Sequence, residues 1–378
     1  MDLFDYTIFW DWFVISPFER RFKLKSKFTN LKQFKLLNIK TLNIQKTNNF
    51  EKGIATFLIE YQFLYAIKKY FNNVKFDLIL YSTPPITLTK IINYIKKRDK
   101  AHSYLLLKDI FPQNAVDLKF FKKNGFLHRF FRKKEKKLYL ISDTIGCMSQ
   151  ANVDYLIKNN PNLNSNKIEI NPNSIKPIHI KYRKNEKELI RNKYRIPLDK
   201  KIFVYGGNLG LPQGLDFLLE TIVNSKRKDV FFLIIGSGTE FNRISAWFKK
   251  NNPKNACLLS HLVKSEYDKL LASCDVGLIF LNKNFTIPNY PSRLLSYLEM
   301  KMPIITATDG NTDIGNDIEK NKCGFAVKAG DLKGMEKAID KIMDDHHNFN
   351  YFKNNSWLFL NKNFDVANSC KLVLSSMK

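Results

Sequence analysis

The chain has 378 residues, 44% of them hydrophobic, and a formal net charge of +27 at pH 7. This length favours two domains over one. The apolar stretch Tyr6 to Phe18 is interrupted by Asp11 and Pro17, which argues against a membrane-spanning helix and against a signal peptide. The five cysteines are scattered and lack metal or redox spacing. A reducing, cytoplasmic location is therefore expected.

The first 70 residues are atypical of a nucleotide-binding α/β domain. Such a domain usually opens with a strand and a glycine-rich turn. Met1 to Phe71 contains a single glycine, Gly53, and no such turn. Two explanations are open, an unorthodox domain or one that has lost its leading strands. The pattern favours loss, so the N-terminal domain is expected to be incomplete.

From Lys75 onward, short β-rich runs alternate with helix-length segments such as Leu215 to Val223 and Tyr267 to Ser273. Several runs are apolar almost throughout, as in parallel strands covered by helices on both faces. This alternation predicts the α/β class with parallel sheets. The polar stretch Asn171 to Asn192 separates two series of alternating strands and helices and is the predicted domain boundary. The predicted strands are Phe76 to Ser82, His102 to Asp109, Thr144 to Ser149, Lys167 to Asn173, Lys201 to Gly207, Val230 to Gly238, Ala256 to Ser260, Val276 to Leu281 and Pro303 to Thr308.

The segment Lys119 to Lys137 concentrates the positive charge, with nine Lys or Arg against a single Glu. A coding bias toward Lys and Asn contributes to the overall charge, but it does not explain clustering. Basic residues with large aromatics on an amphipathic segment are typical of docking to a membrane surface. The alternative is a helix with core-facing phenylalanines and solvated lysines. We expect docking to an anionic membrane surface and no specific nucleic acid partner. The interleaved aromatics are Phe120, Phe121, Phe126, Phe130 and Phe131.

The second series opens with a strand, a glycine-containing loop and a helix over Phe203 to Asp216, FVYGGNLGLPQGLD. Glycines at such a turn let a phosphate approach the backbone closely. The spacing is neither a P-loop nor GxGxxG, so a plain strand-to-helix turn is the alternative. Further on, Gly236 and Gly238 end the next strand. The backbone of His261 to Val263 follows the third strand, where ligands bind in such sheets.

The stretch Tyr290 to Thr306, YPSRLLSYLEMKMPIIT, places Ser292 and Arg293 at a helix start and Glu299 about two turns later. An arginine fork suits phosphate. A carboxylate further along could accept hydrogen bonds from two neighbouring ribose hydroxyls. The alternative is a helix cap, a surface arginine and a solvated glutamate.

A resemblance to family 4 glycosyltransferases is carried by four ordered motifs, GGNLGLPQG, IIGSG, LVKSEYDKLLASCDVGLIFL and YPSRLLSYLEMKMPIIT. It extends into the first series through YSTPPI, LLLKDIFPQNAVDL and SDTIGCMSQANVDYL, and covers roughly residues 75 to 345. Family members are retaining enzymes of GT-B fold that build bacterial capsule and O-antigen polysaccharides. The resemblance implies two Rossmann-like parallel-sheet domains facing across a cleft. They would span residues 1–180 (acceptor side) and 181–349 (nucleotide-sugar side), with a helix over 350–378 returning to the first.

The resemblance also implies residue roles. Glu299 would bind the donor ribose, and the catalytic set would be Asp109, Arg293 and Glu299. The acceptor would enter near Lys108, Asp109, Gln113 and Asn114. The donor-binding residues would be Gly207, Asn208, Gln213, Gly214, Gly236, His261, Leu262, Ser292, Arg293 and Glu299.

Two positions depart from the family pattern. Pro291 stands where many members have a second Glu, and Asn208 and Gln213 replace a basic pair in the glycine loop. Enzymes with a Pro-Ser-Lys/Arg signature share both features. Phosphate neutralisation would then rest more heavily on Arg293.

The implied function is transfer of a sugar, with retention, from a nucleotide sugar to a polyprenyl-diphosphate-linked or saccharide acceptor in bacterial surface polysaccharide synthesis. We expect no metal or cofactor besides the donor, and a location in the cytoplasm at the inner face of the cell membrane. Three alternatives stay open. They are a nucleotide-sugar epimerase, a truncated or degenerate non-catalytic homologue, and a basic protein that binds nucleic acid or membranes. An epimerase is disfavoured because no carboxylate and histidine set occurs in the cleft-facing loops.

Overall fold

A computed structural model describes residues 12–19, 27–30, 34–41, 49–178 and 183–377. The strands are β1 (Trp12–Glu19), β2 (Lys27–Asn30), β3 (Phe34–Thr41), β4 (Leu78–Ser82), β5 (His102–Leu107), β6 (Thr144–Cys147), β7 (Ile168–Ile170), β8 (Lys201–Asn208), β9 (Val230–Ser237), β10 (Ala256–Leu259), β11 (Val276–Phe280), β12 (Ile304–Thr308) and β13 (Gly324–Lys328). The helices are α1 (Asn49–Tyr70), α2 (Thr89–Asp99), α3 (Gln113–Asp117), α4 (Phe126–Ile141), α5 (Gln150–Asn159), α6 (Lys184–Lys193), α7 (Leu215–Asn224), α8 (Phe241–Asn251), α9 (Lys264–Ala272), α10 (Arg293–Glu299), α11 (Ile314–Lys320), α12 (Leu332–Asp344), α13 (His346–Asn363) and α14 (Val366–Ser375).

The second domain is built on a six-stranded sheet in the order β10-β9-β8-β11-β12-β13, in which every neighbouring pair is parallel. The side chains of β8 alternate between two hydrophobic cores. Ile202 and Val204 pack on one face of the sheet, and Phe203 and Tyr205 pack on the other. Burial on both faces explains the near-continuous apolar strands, because helices cover each side of the sheet. The strand order reverses beside β8, where open α/β sheets bind their ligands.

The first domain contains a parallel four-stranded sheet in the order β4-β5-β6-β7. Its core includes residues of α4 and α5, and also Phe285 and Ile287, which lie on the loop after β11 of the second domain. Side chains of one domain thus complete the core of the other. The two parallel-sheet α/β domains are those expected from the sequence.

The described residues before α1 form a three-stranded sheet in the order β1-β3-β2, with β1 parallel and β2 antiparallel to β3. The side chains of Leu37 and Ile39 on β3 pack with α1 and α2. The apolar patterning predicts none of these strands, and it also misses β13, GFAVK.

Two helices, and not the single one expected, occupy the C-terminal segment. Asp365 separates them, because its side chain accepts a hydrogen bond from the N–H of Ala367 and caps α14. On α14, Ser369 donates to Asn171 Oδ1 over 2.6 Å, so the chain end does contact the first domain. The boundary predicted between residues 180 and 181 lies outside the described residues, and the limit at 349 stays a prediction. None of the described helices is both long and apolar enough to cross a bilayer.

Candidate functional site

A cavity of about 940 Å³ lies between the two domains. One wall comes from the residues between β5 and α3 of the first domain. The other comes from the carboxyl ends of β8 and β9 and from α9 and α10 of the second domain. Ligands bind at strand carboxyl ends in sheets of this kind, and the volume suits a small molecule of nucleotide size.

The glycine loop after β8 forms the floor of the cavity on the second-domain side. Gly207, Asn208 and Gln213 line the cavity. Gly236 lines it too, and a Cβ there would stand 1.8 Å from the carbonyl oxygen of Gly207, so only glycine fits between these strand ends. Gly214 does not line it. That residue has a φ of +58° and begins α7, which makes its role conformational.

Arg293 is the cationic residue at the centre of this wall. Its Cζ lies 4.2 Å from the ring centroid of Tyr205, and its Nη2 donates to Oε1 of Gln213. Its Nη1 is buried and has no hydrogen-bond partner in the structure. A buried guanidinium N–H without an acceptor is costly, because its desolvation is not offset. An incoming anion would supply that acceptor.

Ser292, the residue before Arg293, is exposed and lines the cavity, as do His261 and Leu262. The side chain of Ser292 makes no capping hydrogen bond to α10, which leaves the hydroxyl available to a ligand.

Glu299 is not among the residues that line the cavity. It ends α10, and its Oε1 accepts a hydrogen bond of 3.1 Å from the N–H of Ile178. Burial raises the pKa of its carboxyl. The residue one turn earlier, Ser296, lines the cavity instead. Binding of ribose by Glu299 stays a prediction.

The first-domain wall brings together Lys108, Asp109 and Asn114. The amide of Asn114 donates to both carboxylate oxygens of Asp109, over 3.1 and 3.0 Å. Burial raises the pKa of the Asp109 carboxyl and lowers the pKa of the Lys108 ammonium to about 8. Lys108 and Asp109 are therefore two desolvated ionisable groups on the first-domain wall of the cavity. Gln113 does not line the cavity.

The loop between β11 and α10 holds the two walls together. The N–H of Thr286 donates to Asp117 over 2.8 Å, and Gln113 donates to Asp117 over 2.8 Å as well. Asn152 of the first domain donates to the carbonyl of Pro288 over 3.1 Å. Gln113 therefore supports the domain interface in this structure.

Several lining residues were not singled out from the sequence. Some lie inside the quoted motifs, in helices or at a strand end, and the others lie in the loop between β11 and α10. They are Ser237, Lys264, Tyr267, Asp268, Phe285, Ile287, Pro288, Asn289 and Ser296. Among the residues that the structure describes, no three His, Cys, Asp or Glu side chains are placed to hold a metal ion.

Two parallel-sheet α/β domains around a cleft are the architecture of GT-B glycosyltransferases. Residues 186–357 match the family model described as Glycosyl transferases group 1. A solved structure from Anabaena, Alr3699/HepE in complex with UDP-glucose, superposes with a TM-score of 0.68 at 12% identity, covering 90% of this chain and 85% of that one.

Two curated bacterial proteins are similar in sequence. A probable glycosyltransferase of Pseudomonas aeruginosa, WbjE, is 22% identical over 311 residues, which is 79% of this chain and 74% of WbjE. A putative colanic acid biosynthesis glycosyl transferase of Escherichia coli K12, WcaI, is 24% identical over 131 residues, or 34% of this chain and 31% of WcaI. Residues 186–357 are thus similar to group 1 glycosyltransferases, and the two domains have the GT-B fold, which together support an enzyme of the transferase class.

Proposed function

We propose that the chain transfers a sugar from a nucleotide-sugar donor to a lipid-diphosphate-linked or saccharide acceptor in the synthesis of a bacterial surface polysaccharide. The observation that carries the proposal is the buried Nη1 of Arg293, which has no partner and belongs to a cavity-lining residue beside the glycine loop. A donor diphosphate would satisfy it. The Anabaena structure holds UDP-glucose, and the name of WcaI refers to colanic acid biosynthesis.

The charges that line the cavity suit a diphosphate leaving group. Arg293 is permanently charged and lies on the second-domain wall, and Lys108 lines the same cavity from the first domain. Fixed positive groups in a partly dry cavity stabilise charge that develops on the leaving oxygen, which is electrostatic preorganisation. Arg293 and Lys108 together would take the place of the basic pair of the family's glycine loop, where this chain has Asn208 and Gln213.

We propose that transfer proceeds with retention, as in family 4 enzymes with the Pro-Ser-Lys/Arg signature. The bond from sugar C1 to the diphosphate oxygen breaks, and its electron pair stays on the diphosphate. The acceptor hydroxyl oxygen bonds to C1 on the same face, and its proton passes to Asp109. The raised pKa of the Asp109 carboxyl favours accepting that proton. No metal takes part in this scheme, so EDTA should leave the rate unchanged.

We also propose that the enzyme works at the cytoplasmic membrane surface through Lys119 to Lys137. In this segment Phe120 is 65% exposed and Phe126 is 83% exposed, whereas Phe131 is buried in the core and Phe121 stacks on it. Exposed phenylalanines among exposed lysines are suited to an anionic lipid interface. The structure thus divides the aromatics between core packing and a candidate docking surface.

The transfer reaction is tested with purified full-length protein, a panel of UDP-, GDP- and dTDP-sugars, and a polyprenyl-diphosphate sugar in detergent. Acceptor-dependent release of nucleoside diphosphate, with a matching mass increase of the lipid, is the expected result. The proposal would be contradicted if the protein released no nucleoside diphosphate from any combination of donor and acceptor in the panel.

Membrane docking is tested separately by flotation with vesicles containing anionic phospholipid. The double variant Phe120→Ala/Phe126→Ala should float less than the wild type. Lys249→Glu/Lys250→Glu, at exposed lysines of α8 in the second domain, is the control and should float normally. Normal flotation of Phe120→Ala/Phe126→Ala would contradict docking through this segment.

A further inference from the structure

A network of polar groups joins the first-domain wall of the cavity to helix α14. At the cavity, the ammonium of Lys108 donates to the main-chain oxygen of Asn171 over 3.4 Å. Asn171 directly follows β7 and is fully buried. Its N–H donates to the carbonyl oxygen of Cys147 over 2.8 Å. The main chain that receives the Lys108 ammonium is therefore attached to the end of β6.

The side chain of Asn171 is held from two sides. Its Nδ2 donates to the hydroxyl of Tyr104, on β5, over 2.9 Å. Its Oδ1 accepts a hydrogen bond of 2.6 Å from the hydroxyl of Ser369, on α14. The Tyr104 hydroxyl in turn donates to Glu169 over 2.5 Å. A buried amide bonded at both ends keeps one orientation, because rotation would leave its polar atoms without partners.

The neighbouring strand β6 leaves room for this network. A Cβ on Gly146 would lie 2.7 Å from the Cβ of Asn171 and 2.7 Å from the hydroxyl of Tyr104. A side chain there would push the amide and the phenol apart, so glycine is needed at this position. Interiors packed this closely transmit small displacements instead of absorbing them. A shift of the Asn171 side chain should therefore also move its main-chain oxygen.

We propose that Asn171 and Ser369 position the ammonium of Lys108 for sugar transfer, so that turnover depends on the attachment of α14 to the first domain. The inference rests on the proposed function, in which Lys108 stabilises the leaving diphosphate. Neither Asn171 nor Ser369 lines the cavity, so both are positioning residues that act through Lys108. The lysine side chain is long and flexible, and the main-chain oxygen of Asn171 is the acceptor that holds its ammonium.

The test measures kcat and KM of the full chain with a polyprenyl-diphosphate sugar and the UDP-, GDP- or dTDP-sugar that reacts fastest. Ser369→Ala should lower kcat roughly 2- to 12-fold, the range for one hydrogen bond, and leave KM for the donor unchanged. A group that stabilises charge developing on the leaving oxygen acts on kcat. Ser369→Thr keeps a hydroxyl and should restore most of the rate. Ser375→Ala is the matched control, because the Ser375 hydroxyl donates to Leu372 within α14 itself.

Tyr104→Phe is a second variant, which removes the other partner of the Asn171 amide. It should lower kcat as Ser369→Ala does, again without a change in KM. Thermal unfolding of each variant shows whether it is folded. Wild-type kcat in folded Ser369→Ala and folded Tyr104→Phe would overturn the inference.

The same substitution in Lys108→Met separates positioning of Lys108 from simple attachment of α14. If Ser369 acts through Lys108, Ser369→Ala should slow the wild type and cause no further loss in Lys108→Met. An equal loss of kcat in both backgrounds would contradict positioning and leave α14 as a structural anchor. A wild type that transfers no sugar would instead show the failure of the proposed function, and the inference would fall with it.

Discussion

Replacing Arg293 with methionine tests how the cavity holds a diphosphate. The substitution removes the guanidinium but keeps an unbranched side chain of comparable reach. The Nη2 of Arg293 is already bonded to Gln213, so Nη1, which is buried without a partner, is the group free for the ligand. Loss of one charge-assisted hydrogen bond costs about 1.5–3 kcal/mol. That free energy corresponds to a dissociation constant roughly 10- to 150-fold larger in Arg293→Met than in the wild type.

Arg293→Lys should fall between the wild type and Arg293→Met. It keeps the charge but loses the planar fork that reaches Gln213 and the ligand together. Its binding of the nucleoside diphosphate should therefore be weakened by less than that of Arg293→Met.

The assay is calorimetric titration with UDP and GDP, paired with thermal unfolding of each variant. Arg243→Met is the matched control, because Arg243 lies on α8 at the surface and pairs with Asp216 and Glu240 outside the cavity. The stacking of Arg293 on Tyr205 contributes to stability as well, so a modest decrease in melting temperature is expected. Wild-type affinity in folded Arg293→Met would refute the assignment of Arg293 to the diphosphate.

Three further predictions concern the opposite wall and the glycine loop. Burial raises the pKa of the Asp109 carboxyl. The pH at which kcat/KM falls on the acid side should therefore lie above the usual range of an aspartate pKa. Asp109→Asn should abolish this fall together with most of the rate. Lys108 has a pKa of about 8 and loses its charge as the pH rises through that value. Turnover should accordingly fall above pH 8 in the wild type and persist to higher pH in Lys108→Arg. Identical pH profiles of the two proteins would exclude a role for the Lys108 charge in turnover. Gly214→Ala places a side chain at a φ of +58° and 2.5 Å from the carbonyl oxygen of Leu281. It should lower the free energy of unfolding in urea by about 1–2 kcal/mol or more, whereas Gly310→Ala, in open space, should change it little.

The α/β class and the strands from Phe76 to Thr308 could be predicted because burial on both sheet faces leaves apolar runs. The second-domain wall of the cavity is predicted in part for a similar reason, since Asn208 and Gly236 lie at the ends of strands and Arg293 begins a helix. The spacing of apolar residues indicates which positions are buried, and the carboxyl ends of the strands indicate the edge of a parallel sheet where ligands bind.

Other features depend on tertiary contacts that no local pattern records. Glu299 lies about two turns after Arg293, as the sequence indicates, but it ends α10 about one turn beyond the cavity lining at Ser296. The loop with Phe285 and Ile287 has no strand or helix pattern, yet it packs into the core of the other domain. Asp268 has the signature of an ordinary surface i,i+4 pair, and only the packing of α9 beside β8 places it at the cavity.

The central claim is that this cavity holds the nucleotide-sugar donor. A crystal structure of the full chain with the nucleoside diphosphate that binds most tightly tests that claim directly. The account predicts diphosphate oxygens within hydrogen-bond distance of Nη1 of Arg293 and of the glycine loop at Gly207. A nucleotide bound elsewhere, or in the cavity with its diphosphate away from Arg293, would contradict it.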